Sequence, residues 1–129
     1  HMPEGSSIIM FSSMFAQVAP DPGIYIDDLK PNAIDYEVGK AAMEQMVRYL
    51  AVYWAGKKIR VNAVAPGPFP TPSIRQDNPE FYKLLCQKVP MGRTGLPEEM
   101  AGTLMLLASN DSSFINGQVI AVNGGWNAW

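Results

Sequence analysis

The sequence has 129 residues, 47% hydrophobic and 17% charged, enough for one buried core and too little for two. Ten Lys plus Arg against twelve Asp plus Glu give a net charge of -2, so no basic excess exists to neutralise a phosphate backbone, and nucleic acid is a poor partner. His1 is the only histidine and Cys86 the only cysteine, which removes Ser-His-Asp and Cys-His catalysis and zinc coordination, so no metal site is expected.

His1 and Met2 read as a cloning remnant, leaving residues 3–129 as a single domain. A lone thiol forms no intrachain disulfide and fits a reducing cytoplasm. No apolar stretch approaches the roughly 20 residues of a membrane span, and no secretory signal is visible.

In chain order, Ser7, Ile8, Ile9, Met10 and Phe11 form a short apolar run between Gly5 and the pair Ser12-Ser13, the pattern of a strand buried on both faces. Residues 19–35 hold Pro20, Asp21, Pro22, Gly23, Asp27, Asp28 and Pro31 with no sustained period, predicting a long loop of the functional or disordered kind. Residues 36–56 have a helical period: Val38, Ala42, Met43, Met46, Val47, Tyr49, Leu50, Tyr53 and Trp54 fill about half the wheel. Glu37, Lys40, Glu44 and Arg48 occupy the opposite arc, with Glu44 and Arg48 as an i,i+4 pair, Asp35 as the N-cap, and Gly56, Lys57 and Lys58 suiting the C-terminus. So wide an apolar arc exceeds one sheet contact and predicts a second packing partner, such as another subunit.

Residues 59–65 are β-branched and apolar around Asn62, and a helix between two such runs is a right-handed βαβ unit of a parallel sheet. The alternating prolines of residues 66–72 forbid helix and central strand without forming a P-x-x-P ligand. Residues 79–89 and 97–108 predict two further helices, the second with Pro97 first and Glu98 and Glu99 in its opening turn. Residues 118–122 predict the last strand, closed by Asn123-Gly124-Gly125.

Tyr36 and Lys40 stand four apart on one helix face, where an ammonium favours the ionised form of a phenol and suits the pair to acid-base work. Ser13, at the carboxyl end of the preceding strand, can hydrogen-bond a substrate oxygen where open α/β sheets bind ligands. Tyr53 and Lys57 repeat the Y-x-x-x-K spacing about 25 Å further along the helix, and read as structural.

The order strand, Ser12-Ser13, loop, Tyr36-Glu37-Val38-Gly39-Lys40, helix, Arg60 to Gly67 closely resembles the C-terminal half of the short-chain dehydrogenase/reductase family. The P-G-x-x-x-T run from Pro66 to Thr71, Gly92-Arg93 to Pro97-Glu98-Glu99, Leu107-Ala108-Ser109-Asn110 and Val122-Asn123-Gly124-Gly125 extend the likeness from Gly5 to Gly125. The resemblance implies the C-terminal half of a doubly wound, Rossmann-like parallel sheet with three strands and three helices. It also implies an NAD- or NADP-dependent oxidoreductase interconverting an alcohol and a carbonyl. Tyr36 is then the general acid-base, Lys40 lowers its pKa and binds the nicotinamide ribose, and Ser13, ahead of Ser12, orients the substrate oxygen. Pro66, Gly67 and Thr71 hold the nicotinamide, Asn62 is structural and Cys86 a small buried hydrophobe.

Two departures stand out. The family's glycine-rich phosphate cradle, G-x-x-x-G-x-G or G-x-G-x-x-G, does not occur in this sequence, which leaves an inactive, self-associating fragment as the alternative reading. The strand 7–11 then exposes an apolar edge suited to swapping or association into a homo-oligomer. Second, residues 21–34 lengthen the Ser13-to-Tyr36 loop beyond the family pattern. With the aromatic ending from Trp126 to Trp129, this looks similar to members acting on sugar acids, such as gluconate 5-dehydrogenase-like proteins.

Overall fold

The computed structural model describes residues 1–128. Three parallel strands, β1 (Ser7–Phe11), β2 (Arg60–Pro66) and β3 (Val119–Val122), form one sheet in the order β1-β2-β3. Ser7 pairs with Arg60 and Phe11 with Val64 across one ladder, Ala63 with Val119 and Pro66 with Val122 across the other.

The central strand is the most apolar, as a strand covered on both faces requires: Val61, Asn62, Ala63, Val64 and Ala65 are all buried. Alternation splits them between layers. Val61 and Ala63 pack with Val47 and Ala51 of helix α1 (Ile34–Tyr53), while Val64 packs with Leu107 of helix α4 (Ala101–Ala108). Asn62 is held by Nδ2 donating to the Ile115 carbonyl at 2.9 Å and Oδ1 accepting from the Gln118 amide at 3.0 Å, so it fixes the approach to β3.

A third cluster lies apart from these two layers. Met14, Ile24, Leu85, Val89 and Trp126 bury one another, joining the segment after β1, the long loop, helix α3 (Pro79–Lys88) and the end of the chain. The parallel α/β half-sheet therefore matches the sequence reading, with three corrections to its helices.

First, helix α1 begins two residues early, at Ile34, with Ala33 rather than Asp35 at the N-cap, and ends at Tyr53 before a 3-10 turn, Ala55–Lys57. Second, a fourth helix, α2 (Pro72–Asp77), follows the proline-rich segment, because Pro72 at a first helical position loses no hydrogen bond. Third, the helix expected over residues 97–108 starts as a 3-10 turn, Pro97–Met100, before α4. No helix among the described residues is long and apolar enough to cross a membrane.

Candidate active site

Because all three strands are parallel, Phe11, Pro66 and Val122 end on the same edge of the sheet, the edge at which open α/β sheets bind ligands. Ser12 continues the pairing past β1, its amide donating to the Val64 carbonyl at 2.8 Å. Helix α1 starts at this edge, and the Lys40 ammonium donates to the Phe11 carbonyl at 2.7 Å. The same ammonium lies 5.6 Å from the centroid of the Tyr36 ring, as the four-residue spacing requires. An ammonium has three donors, so the Phe11 carbonyl leaves Lys40 with capacity to spare.

Tyr36 is 42% exposed, and its hydroxyl has no protein partner among the described residues. Ser13 is buried, and its Oγ accepts from the Phe15 amide at 3.2 Å, capping the 3-10 turn Met14–Ala16. Its own proton has no acceptor among the described residues. Ser12 differs: its hydroxyl donates to Glu44 Oε1 at 2.9 Å and lies 3.4 Å from the Lys40 carbonyl. Of the two serines, Ser13 keeps a hydrogen to offer.

Glu44 overturns two expectations. It is buried, accepting from Ser12 and, at 3.0 Å, from Gln17 Nε2, instead of sitting on the solvent arc paired with Arg48. Arg48 Nε donates to Gln45 Oε1 at 2.9 Å. Two hydrogen bonds to an enclosed carboxylate outweigh an exposed i,i+4 ion pair of about 0.3–0.5 kcal/mol. The buried face of α1 is thus turned toward Glu44, Val47 and Ala51, leaving Val38, Met46, Tyr49, Val52 and Tyr53 outside. Glu44 is the site neighbour the sequence reading missed; the signal was its place four residues beyond Lys40 on the same face.

Gly67 follows β2, its amide donating to the Val122 carbonyl at 2.9 Å. A Cβ there would lie 2.5 Å from the Asn123 Cα, so close packing against the end of β3 already requires glycine. Thr71 is exposed at the N-cap of α2, with its hydroxyl 2.8 Å from that of Ser73. The structure thus gathers Ser13, Tyr36, Lys40, Pro66 and Gly67 along one edge and leaves Thr71 further out.

The long loop is ordered against the body. Asp21 Oδ1 caps the turn Pro22–Ile24 by accepting from the Gly23 amide at 2.9 Å, and Asp21 also pairs with Lys88. The hydrogen bond from Lys88, then that from Gly23, holds the Asp21 carboxyl below its ordinary value. Ile24 enters the third core cluster, and the Tyr25 and Phe81 rings meet at 5.5 Å. Burial, and next the charge of Glu37, pushes the Tyr25 phenol up. Of the expected alternatives, disorder is therefore replaced by docking. Glu37 Oε1 is buried without a partner among the described residues. No cluster of three or more His, Cys, Asp or Glu able to hold a metal occurs among them.

Known proteins are similar to this chain in sequence and fold. The enoyl-(acyl carrier protein) reductase family model matches residues 1–127. A galactitol 2-dehydrogenase (L-tagatose-forming) of Cereibacter sphaeroides is 39% identical over 99 residues, 75% of this chain and 39% of the relative. The uncharacterized oxidoreductase YhdF of Bacillus subtilis is 44% identical over 126 residues, 97% of this chain and 40% of the relative. A gluconate 5-dehydrogenase from Burkholderia cenocepacia, solved with NADP and tartrate, superposes with a TM-score of 0.81 at 31% identity, covering 95% of this chain and 45% of that one. The chain spans two fifths of the length of these curated relatives.

Proposed function

The chain belongs to the short-chain dehydrogenase/reductase family of oxidoreductases, and from that premise we propose that it carries the proton-transfer end of an NAD(P)-dependent enzyme interconverting an alcohol and a carbonyl. One observation carries the reading: Lys40 is fastened beside the Tyr36 ring to the carbonyl of Phe11, two residues before Ser13, whose hydroxyl has a proton to offer.

The free groups match the chemistry of a nicotinamide ribose and a substrate oxygen. The remaining donors of Lys40 suit ribose hydroxyls, and its positive charge lies 5.6 Å from the centroid of the Tyr36 ring. Tyr36 donates its phenolic proton to the substrate oxygen in reduction and takes it back in oxidation. Ser13 donates a hydrogen bond to the same oxygen and fixes its direction. A bound nicotinamide supplies or accepts the hydride. Pro66 and Gly67 wall the site from the β2 side, with Thr71 the outer contact.

Support for the substrate class comes from the relatives, whose names specify galactitol and gluconate, so a polyol or sugar acid is the proposed substrate. The docked loop carries Tyr25 and faces Glu37 beside Tyr36, and so borders that substrate. The lone thiol of Cys86 supports a reducing, cytoplasmic setting.

The test is turnover of a polyol and sugar-acid panel with NAD and with NADP. Tyr36→Phe is expected to lower kcat by about 10²–10⁴-fold with the fold unchanged. Undiminished turnover in that variant overturns the mechanism.

A second reading rests on a separate observation. β1 is bonded on one side only, and α1 leaves Met46, Tyr49, Val52 and Tyr53 exposed. These surfaces support self-association into a homo-oligomer, and association without turnover or cofactor binding would favour a non-catalytic chain.

A further inference from the structure

We infer that Glu44 is a positioning residue for Ser13: its carboxylate clasps both ends of the turn that carries this serine and fastens that turn to the helix of Tyr36 and Lys40. The inference rests on the reaction proposed above and adds to it a residue that touches neither substrate nor cofactor.

The turn has little hold of its own on α1. Residues 14–16 form one turn of 3-10 helix, with the Ala16 amide donating to the Ser13 carbonyl and the Gln17 amide to the Met14 carbonyl, both at 3.0 Å. Hydrogen bonds of this type are poorly aligned and sustain only short pieces of chain. The Ser12 amide ties the start of the turn to β2, and Met14 buries itself with Ile24, Leu85, Val89 and Trp126. None of those partners belongs to α1, so they leave the distance from Ser13 to Tyr36 and Lys40 unset.

Glu44 supplies the missing tie. Tyr36, Lys40 and Glu44 succeed one another at four-residue intervals along α1, so their side chains lie near one face of it. Lys40 grips the Phe11 carbonyl at 2.7 Å. One turn further on, Glu44 Oε1 accepts from the Ser12 hydroxyl at 2.9 Å and from Gln17 Nε2 at 3.0 Å. These two donors flank Ser13: Ser12 precedes it, and Gln17 is the C-cap of the turn that Ser13 opens. Gln17 Oε1 in turn accepts from Asn127 Nδ2, which leaves the Gln17 nitrogen directed at Glu44. Glu44 and Ser12 are both buried, where hydrogen bonds to a carboxylate meet less competition from water. One helix thus carries the proton donor, the ammonium and the clasp, and holds Ser13 in register with the other two.

Amide hydrogen exchange of the whole chain by NMR reads this hold without any ligand, because the Phe15 amide donates to Ser13 Oγ at 3.2 Å. In Glu44→Leu the Phe15 and Gln17 amides are expected to exchange about tenfold faster than in the parent. The Gly67 and Gly117 amides, bonded to the Val122 and Val61 carbonyls, should change far less. Glu44→Gln keeps an oxygen acceptor and should return Phe15 and Gln17 toward the parent rates. Turnover gives the second readout. Glu44→Leu should lower kcat about tenfold with KM for the nucleotide unchanged, and should lower it no further once Ser13→Ala is present, since a residue acting through Ser13 then has nothing left to position. Unchanged Phe15 exchange, an equal rise at Phe15, Gly67 and Gly117, or losses that multiply in the double variant would each overturn the proposal. A parent without turnover fails the oxidoreductase reading instead, and the exchange comparison still decides whether Glu44 holds the Ser13 turn. Should Glu44→Leu not fold, Gln17→Ala removes one arm of the clasp at an exposed position, and faster Phe15 exchange is expected there too.

Discussion

Arg93 and Glu99 show how a single pair couples structure to pH. The hydrogen bond from Arg93, next that of the Leu96 amide, brings the Glu99 carboxyl down to about 2 from an ordinary 4.5. The same pairing raises the Arg93 guanidinium. A carboxyl with a depressed folded-state value stabilises the fold fully above its unfolded value and loses that contribution as pH falls through the folded one. The difference in thermal midpoint between the parent and Glu99→Gln should therefore be present at pH 7 and shrink between about pH 4.5 and 2. A difference independent of pH would show that the pair acts through packing alone. At the same scale, Glu44→Ala removes the carboxylate to which the Ser12 hydroxyl and the Gln17 amide donate, and is expected to cost about 1–3 kcal/mol in denaturant unfolding. A cost within error of zero would mean that solvent replaces the carboxylate freely.

Helix α1 is where sequence and structure both agree and diverge most instructively. Its existence and its Tyr36-Lys40 spacing were legible because periodicity and i,i+4 geometry are local properties. Its buried face was not, because polarity alone sends Glu44 to solvent, whereas Ser12 and Gln17, distant in sequence, draw it inward. Helix α2 escaped for a different reason: proline clusters signal a break, and Pro72 opens a helix instead. The outward apolar arc gives this element its own prediction. Val52 is 80% exposed beside the stacked Tyr49 and Tyr53 rings, whose centroids are 6.0 Å apart. Sedimentation should show an associating chain that Val52→Glu shifts toward monomer, with unfolding changed by no more than about 0.5 kcal/mol. A monomeric parent at high concentration would contradict association through this face.

Across the whole molecule, three clusters divide the work. Two sandwich the sheet between α1 and α4, and the third fastens the long loop, α3 and Trp126 beyond its carboxyl edge. Leu107, fully buried on the α4 side, tests the sandwich: Leu107→Ala should cost about 2–5 kcal/mol, and a smaller loss would mean that the layer collapses to fill the space. The parallel strands were legible from short apolar runs set around a helix. The docking of residues 21–34 was not, since it depends on Ile24 meeting Leu85 and Val89, contacts that no local pattern encodes. Placing both serines, Tyr36 and Lys40 at one edge is the global result of that topology. Titration of the 129-residue chain with NADH and NADPH, followed by nicotinamide fluorescence, tests that result most directly. Saturable binding that Lys40→Met weakens is the predicted outcome; the absence of binding by either nucleotide would contradict a nicotinamide site built by this chain.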